Sequence, residues 1–260
     1  MLTALKELLF SPRGNCLGCL SPLGADTGCF CADCYASIAP LLVSGEAESE
    51  ICLNCGEEYV GGVCRVCKKH RVDTIRAVAA YEYEGAIRNL VHSFKFGGVW
   101  RASRWMAEEM MKACQGGFLD GVNVLIPVPM HRMRRLMRGF NQSGKLARAF
   151  SLISGISVDT SLTRVRNTTQ QVRLSGEKRR QNLKNAFRAE RSFDGETVLL
   201  VDDVRTTGTT AVECAKALLS ANAAEVRVLT FAKATPNRSQ NKKYRPDRGT
   251  KLIKYEKDPF

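Results

Sequence analysis

Apolar runs set the rhythm of this chain. Val198-Leu199-Leu200-Val201 is unbroken and reads as a strand buried on both faces. Residues 122–129 and 224–232 read the same way, and residues 75–83 alternate well enough for a strand. Helical spacing separates these runs. Over residues 84–94 it puts Ile87, Leu90, Val91 and Phe94 on one face, and Lys95-Phe96-Gly97-Gly98 ends the helix with glycine. Residues 100–114, 142–152 and 211–219 read as further helices, residues 158–162 as a short strand, and residues 2–10 as a short helix. Strands alternating with helices predict an α/β domain over residues 73–233, built on a mainly parallel sheet with helices on both faces.

The densest chemistry follows the run at 198–201. Two carboxylates, Asp202 and Asp203, stand where that strand is expected to end. A hydroxyl and glycine loop follows, Thr206-Thr207-Gly208-Thr209-Thr210, and then a helix. Strand, loop and helix N-terminus in this order make a phosphate cradle, because the first helical N–H groups and the helix dipole both favour an anion. Glycine permits close backbone approach and the threonines add donors. Carboxylates beside such a cradle would repel phosphate alone, but they suit the vicinal hydroxyls of a sugar or a hydrated Mg²⁺. A sugar 5-phosphate satisfies both halves.

A second candidate site lies just past residues 122–129, where Arg132, Arg134, Arg135 and Arg138 fall within seven residues. Ligands of open α/β sheets sit beyond the carboxyl ends of strands. Arginines there suit pyrophosphate or nucleic-acid phosphates.

The N-terminal stretch has a different character. Cys16-x2-Cys19 and Cys31-x2-Cys34 form one unit, and Cys52-x2-Cys55 and Cys64-x2-Cys67 a second. Four thiolates make a closed tetrahedral site suited to structural Zn²⁺, so two zinc ions are expected. An iron–sulfur cluster is the rival metal, interleaved pairing of the units is open, and Cys29 is a spare thiol beside the first unit. Residues 41–50 read as the link between units. Eleven cysteines with no secretory signal argue for a reducing cytoplasm rather than disulfides, and no apolar run is long enough to insert in a membrane.

Charge sharpens the division. The net is +13, yet residues 1–75 carry 6 Lys/Arg against 9 Asp/Glu, while residues 131–191 carry 15 against 3. Residues 234–260 read as a basic, disordered tail. Phosphate partners therefore belong to the α/β body and the tail rather than to the cysteine-rich module.

The stretch 198–210 resembles the phosphoribosyl pyrophosphate (PRPP) signature of type I phosphoribosyltransferases. Together with Arg138-Gly139-Phe140-Asn141-Gln142 and the cysteine units, it is similar to the ComF family. The resemblance implies a double zinc ribbon over residues 10–72, a phosphoribosyltransferase-like domain over 73–233, and a mobile hood within the polar segment 163–176. It further implies Mg²⁺-dependent transfer of ribose 5-phosphate from PRPP. Asp202 and Asp203 would hold the ribose hydroxyls and Thr206–Thr210 the 5-phosphate, with the four arginines on the departing pyrophosphate. ComF-like proteins are associated with natural competence. A single-stranded-DNA-handling role alongside the competence machinery, with Phe140 as a stacking group, is the alternative, and a PRPP-sensing regulator is a third.

Overall fold

The computed structural model describes residues 15–19, 21–23, 29–43, 48–60, 63–64, 66–67, 69–70, 73–96, 102–131, 133, 136, 139–166 and 182–234. The helix expected at 2–10, Gly97 and Gly98, the four arginines at 132, 134, 135 and 138, most of the polar segment after 166, and the tail from 235 lie outside them.

In chain order the elements are α1 (Ala32–Ile38), a 3-10 turn (Ala39–Leu41), β1 (Glu48–Cys52), β2 (Glu58–Val60), β3 (Val63–Cys64), β4 (Lys69–His70) and β5 (Thr74–Glu82). Then come α2 (Gly85–Phe96), α3 (Ala102–Ala113), β6 (Val122–Pro127), α4 (Gln142–Ser154), β7 (Ser157–Val158) and β8 (Leu162–Arg164). The domain closes with β9 (Phe187–Ala189), β10 (Thr197–Arg205), α5 (Thr209–Leu219) and β11 (Glu225–Lys233). Nine strands form one sheet in the order β4-β3-β2-β1-β5-β11-β10-β6-β7, while β8 and β9 pair separately.

The stretch from β5 to β7 is parallel throughout, as the buried apolar runs require. Residues of β10 alternate between the two faces. Leu199 and Val201 pack with Leu90, Phe94, Met106 and Phe150 from α2, α3 and α4. Val198 and Leu200 pack with Val212, Ala215 and Leu218 from α5, and with Phe187 and Phe193. The result is a three-layer α/β domain with helices on both faces. Two cysteines outside the paired units sit in the α/β layers: Cys214 is fully buried, and burial pushes the half-buried Cys114 thiol up to about 12.

Three expectations need correction. Residues 48–50 are not linker: they open β1, which pairs antiparallel with β5 from Glu48↔Val78 to Cys52↔Thr74. The second cysteine unit is thus a continuation of the main sheet, because backbone pairing along the β5 edge outweighs the polar composition of the segment. The single strand expected at 158–162 is two, β7 in the large sheet and β8 in the small one. Asp159 divides them, its side chain accepting from the Ser161 N–H at 2.6 Å in a tight turn. Lastly, β10 does not stop before the carboxylates. It runs through them to Arg205, because β11 continues beside it, with Asp202↔Thr230 and Arg205↔Lys233 in register.

Candidate functional site

The two carboxylates sit where one neighbour of β10 ends and the other continues. On the β6 side, pairing stops at Val201↔Pro127, with the Val128 N–H closing on the Val201 carbonyl at 2.9 Å. Asp202 and Asp203 therefore lie at the carboxyl end of β6, flanked by the starts of α4 and the end of α2.

Each carboxylate has a fixed partner. The Ser143 hydroxyl, in the first turn of α4, donates to Asp202 Oδ1 at 2.8 Å, so Asp202 lies at a helix N-terminus. The Asp203 N–H donates to the same oxygen at 2.9 Å. Lys95 Nζ, from the last turn of α2, stands 3.0 Å from Asp203 Oδ1. The Gln142 amide donates to the Lys95 carbonyl at 3.3 Å, tying the two helix ends together, and the Asn141 amide reaches the Val128 carbonyl at 3.2 Å.

The electrostatics follow from burial. Desolvation, with the Asp203 charge beside it, pushes Asp202 up to about 7 against the pull of Ser143 and Lys95. Burial works to lower the Lys95 ammonium, but Asp203 and then Asp202 outweigh it and hold its pKa above the ordinary value. Asp203 is 6% exposed, so Lys95 is its compensating charge.

The loop that follows has the geometry of an anion cradle. Gly208 adopts φ 64° and is the N-cap of α5, so no side chain caps the first turn. The hydroxyls of Thr207 and Thr209 lie 3.0 Å apart, and Thr209 is buried. Thr206 is exposed at the loop tip and Thr210 half-buried in the first helical turn.

The sequence-derived residues therefore fall into two groups. Asp202, Asp203 and Thr206–Thr210 share one strand-loop-helix unit, whereas Arg132, Arg134, Arg135 and Arg138 lie outside the described residues. The structure adds Lys95 and Ser143 to the site. Lys95 carried a signal, since it continues the buried stripe of Ile87 and Val91 at four-residue spacing, where a cation needs a buried partner.

The cysteines assemble as two clusters, Cys16/Cys19/Cys31/Cys34 and Cys52/Cys55/Cys64/Cys67, with the sulfurs of each all within 4.8 Å of one another. Cys19 and Cys31 Sγ are 3.8 Å apart, and Cys52 and Cys67 Sγ 3.9 Å. Sulfurs bonded at 2.3 Å to a tetrahedral Zn²⁺ would be separated by about 3.8 Å. Backbone N–H groups of Gly18 and Cys31 point at Cys16 Sγ, and that of Cys67 at Cys64 Sγ, which suits thiolate acceptors. Both clusters fit a structural divalent ion, each drawn from one sequence unit. Cys29 is in neither; its carbonyl accepts from the Leu17 N–H at 2.9 Å.

Residues 136–259 match the phosphoribosyl transferase domain family. The DNA utilization protein YhgH of Salmonella typhimurium is 32% identical over 222 residues, covering 83% of this chain and 95% of the relative. Competence protein F of Haemophilus influenzae is 30% identical, covering 85% and 97%. The chain belongs to the ComF family. Competence protein ComFC of Bacillus subtilis is a more distant relative, 27% identical over 71% of this chain and 78% of its own length. No helix among the described residues is long and apolar enough to cross a membrane.

Proposed function

We propose that this ComF-family protein binds PRPP, or a closely related ribose 5-phosphate, and transfers its phosphoribosyl group with release of pyrophosphate. The observation that carries the reading is the unit formed by Asp202, Asp203 and the uncapped N-terminus of α5, with Gly208 at its turn. Thr206, Thr207, Gly208, Thr209 and Thr210 hold the 5-phosphate through backbone N–H groups and hydroxyls. Asp202 and Asp203 accept from the ribose hydroxyls. Mg²⁺, arriving with the substrate, would screen the pyrophosphate charge and share these carboxylates.

In the reaction a nucleophile attacks the anomeric carbon as its bond to the pyrophosphate oxygen breaks, both electrons leaving with pyrophosphate. The chain contributes positioning and electrostatics and no covalent step. Arg132, Arg134, Arg135 and Arg138 bind the departing group in this proposal. Lys95 neutralises Asp203, and a polyhydroxyl or cationic partner would exchange with that contact. The metal clusters, filled by Zn²⁺, are structural.

A second reading, handling of single-stranded DNA in uptake, is favoured by the net +12 of residues 131–191 and by the names of the relatives. The two readings share the four arginines, which suit pyrophosphate and DNA phosphates alike, and part at the acidic pair, which repels a DNA backbone. Calorimetric titration of PRPP with Mg²⁺ into zinc-loaded protein, with and without single-stranded DNA, tests both. Saturable PRPP binding abolished by Asp202→Ala with Asp203→Ala supports the first. DNA binding without any PRPP binding supports the second alone.

A further inference from the structure

The second cysteine cluster touches the phosphate loop directly. Gly56, the residue after Cys55, is buried with φ +83° against Gly208. A methyl group on Gly56 would fall 2.5 Å from the Gly208 carbonyl carbon, 2.6 Å from the Thr207 oxygen and 2.7 Å from the Thr209 nitrogen. From the other side, a methyl group on Gly208 would meet the Gly56 carbonyl oxygen. Two backbones can approach this closely only where neither carries a side chain.

Gly56 is itself held by the cluster. Its N–H donates to the Cys52 carbonyl at 2.8 Å, and the Cys52 N–H donates to the Glu57 carbonyl at 2.9 Å. Two residues on, Glu58 accepts from Arg205 at 3.0 Å and from Lys233 at 3.4 Å, side chains at the ends of β10 and β11 that flank the loop. Arg205 is 7% exposed. The turn that gathers Cys52 and Cys55 thus bears on the loop by backbone contact and on its root by ion pairs. Among the described residues the first cluster shows no such tie: Gly18 beside it meets Cys34 and Ala86.

We propose that the Cys52/Cys55/Cys64/Cys67 site braces the phosphate loop, so that metal bound there sets the geometry in which residues 206–210 receive a sugar phosphate. Gly56 and Glu58 are positioning residues in this scheme. The brace deepens the sugar-phosphate reading and rests on it for its ligand. Coupling of this kind is reciprocal: if the metal favours the ligand-competent loop, ligand retains the metal by the same factor.

The test follows amide hydrogen exchange at residues 206–210, PRPP affinity with Mg²⁺, and zinc release to a chromogenic chelator, in the full zinc-loaded chain. Gly56→Ala, which keeps every thiolate, should retain two zinc ions per chain yet speed exchange at 206–210 at least tenfold and weaken PRPP at least tenfold. Cys19→Ser, which disables the first cluster, should leave exchange at 206–210 unchanged. In wild-type protein, saturating PRPP should slow one of the two phases of zinc release at least threefold and leave the other unaffected, a measurement that depends on no variant folding. Gly56→Ala with wild-type exchange at the loop, or zinc release indifferent to bound PRPP, overturns the brace. Wild-type protein that fails to bind PRPP overturns the sugar-phosphate reading instead, and loop exchange in Gly56→Ala then decides the brace by itself.

Discussion

Asp202 and Asp203 illustrate how a single residue's surroundings set its chemistry. The same side chain type sits twice in succession on β10, yet one is matched to a lysine and the other to a hydroxyl at a helix start. Because Asp202 is raised to about 7, its ionised form is disfavoured in the fold. Its contribution to stability is fully present below the unfolded pKa of about 3.9 and is lost as pH rises through about 7. Binding has the opposite sign, since sugar hydroxyls and Mg²⁺ prefer the carboxylate. PRPP affinity should therefore climb between pH 6 and 8, read by titration at each pH, and Asp202→Asn should both weaken binding and flatten the profile. Lys95→Met would strand a buried carboxylate and should cost about 3 kcal/mol in urea unfolding. Adding Asp203→Asn should recover most of that loss, and failure to recover it would place Lys95 in some other role.

At the scale of elements, pattern and structure agree where burial is two-sided. The runs that became β6, β10 and β11 were plain in the sequence because parallel strands covered on both faces must be continuously apolar. The stripe of Ile87, Leu90, Val91 and Phe94 identified α2 for the same reason, and all four are buried. Strand ends were harder. Nothing local told that β10 would carry two carboxylates inside the sheet, because β11 supplies that pairing from across the chain. Glu48–Cys52 hid its strand behind Glu and Ser, although it is paired on both sides, to β5 and to β2. The loop at 206–210 was legible because threonines and a glycine between a buried strand and a helix form a local pattern, whereas Lys95, Ser143 and Gly56 reach this region only through tertiary packing. Phe150 offers a check on the layer between α4 and the sheet. Phe150→Ala, removing a fully buried ring, should lower stability by about 4 kcal/mol in denaturant unfolding without altering zinc content.

Across the whole molecule, the sheet joins two stretches of opposite charge and different composition. An acidic, cysteine-rich stretch and a basic α/β body share nine strands, with Glu58 of one paired to Arg205 and Lys233 of the other. Much of the surplus positive charge falls within residues 131–191 of the sequence, apart from the stretch that carries the acidic pair. Replacing Arg132, Arg134, Arg135 and Arg138 by glutamine should weaken single-stranded DNA binding and reduce its log–log salt slope by about 3, if all four meet phosphates. An unchanged slope would move the DNA path elsewhere.

The central claim is that the unit from Asp202 to Thr210 receives a ribose carrying a 5-phosphate. Its most direct measurement is calorimetric titration of PRPP with Mg²⁺ into folded, zinc-loaded protein, beside the Asp202→Ala with Asp203→Ala variant. Saturable one-site binding in the wild type, lost in the variant at unchanged zinc content and melting behaviour, is the predicted result. No binding by the wild type, or equal binding by both proteins, would contradict it.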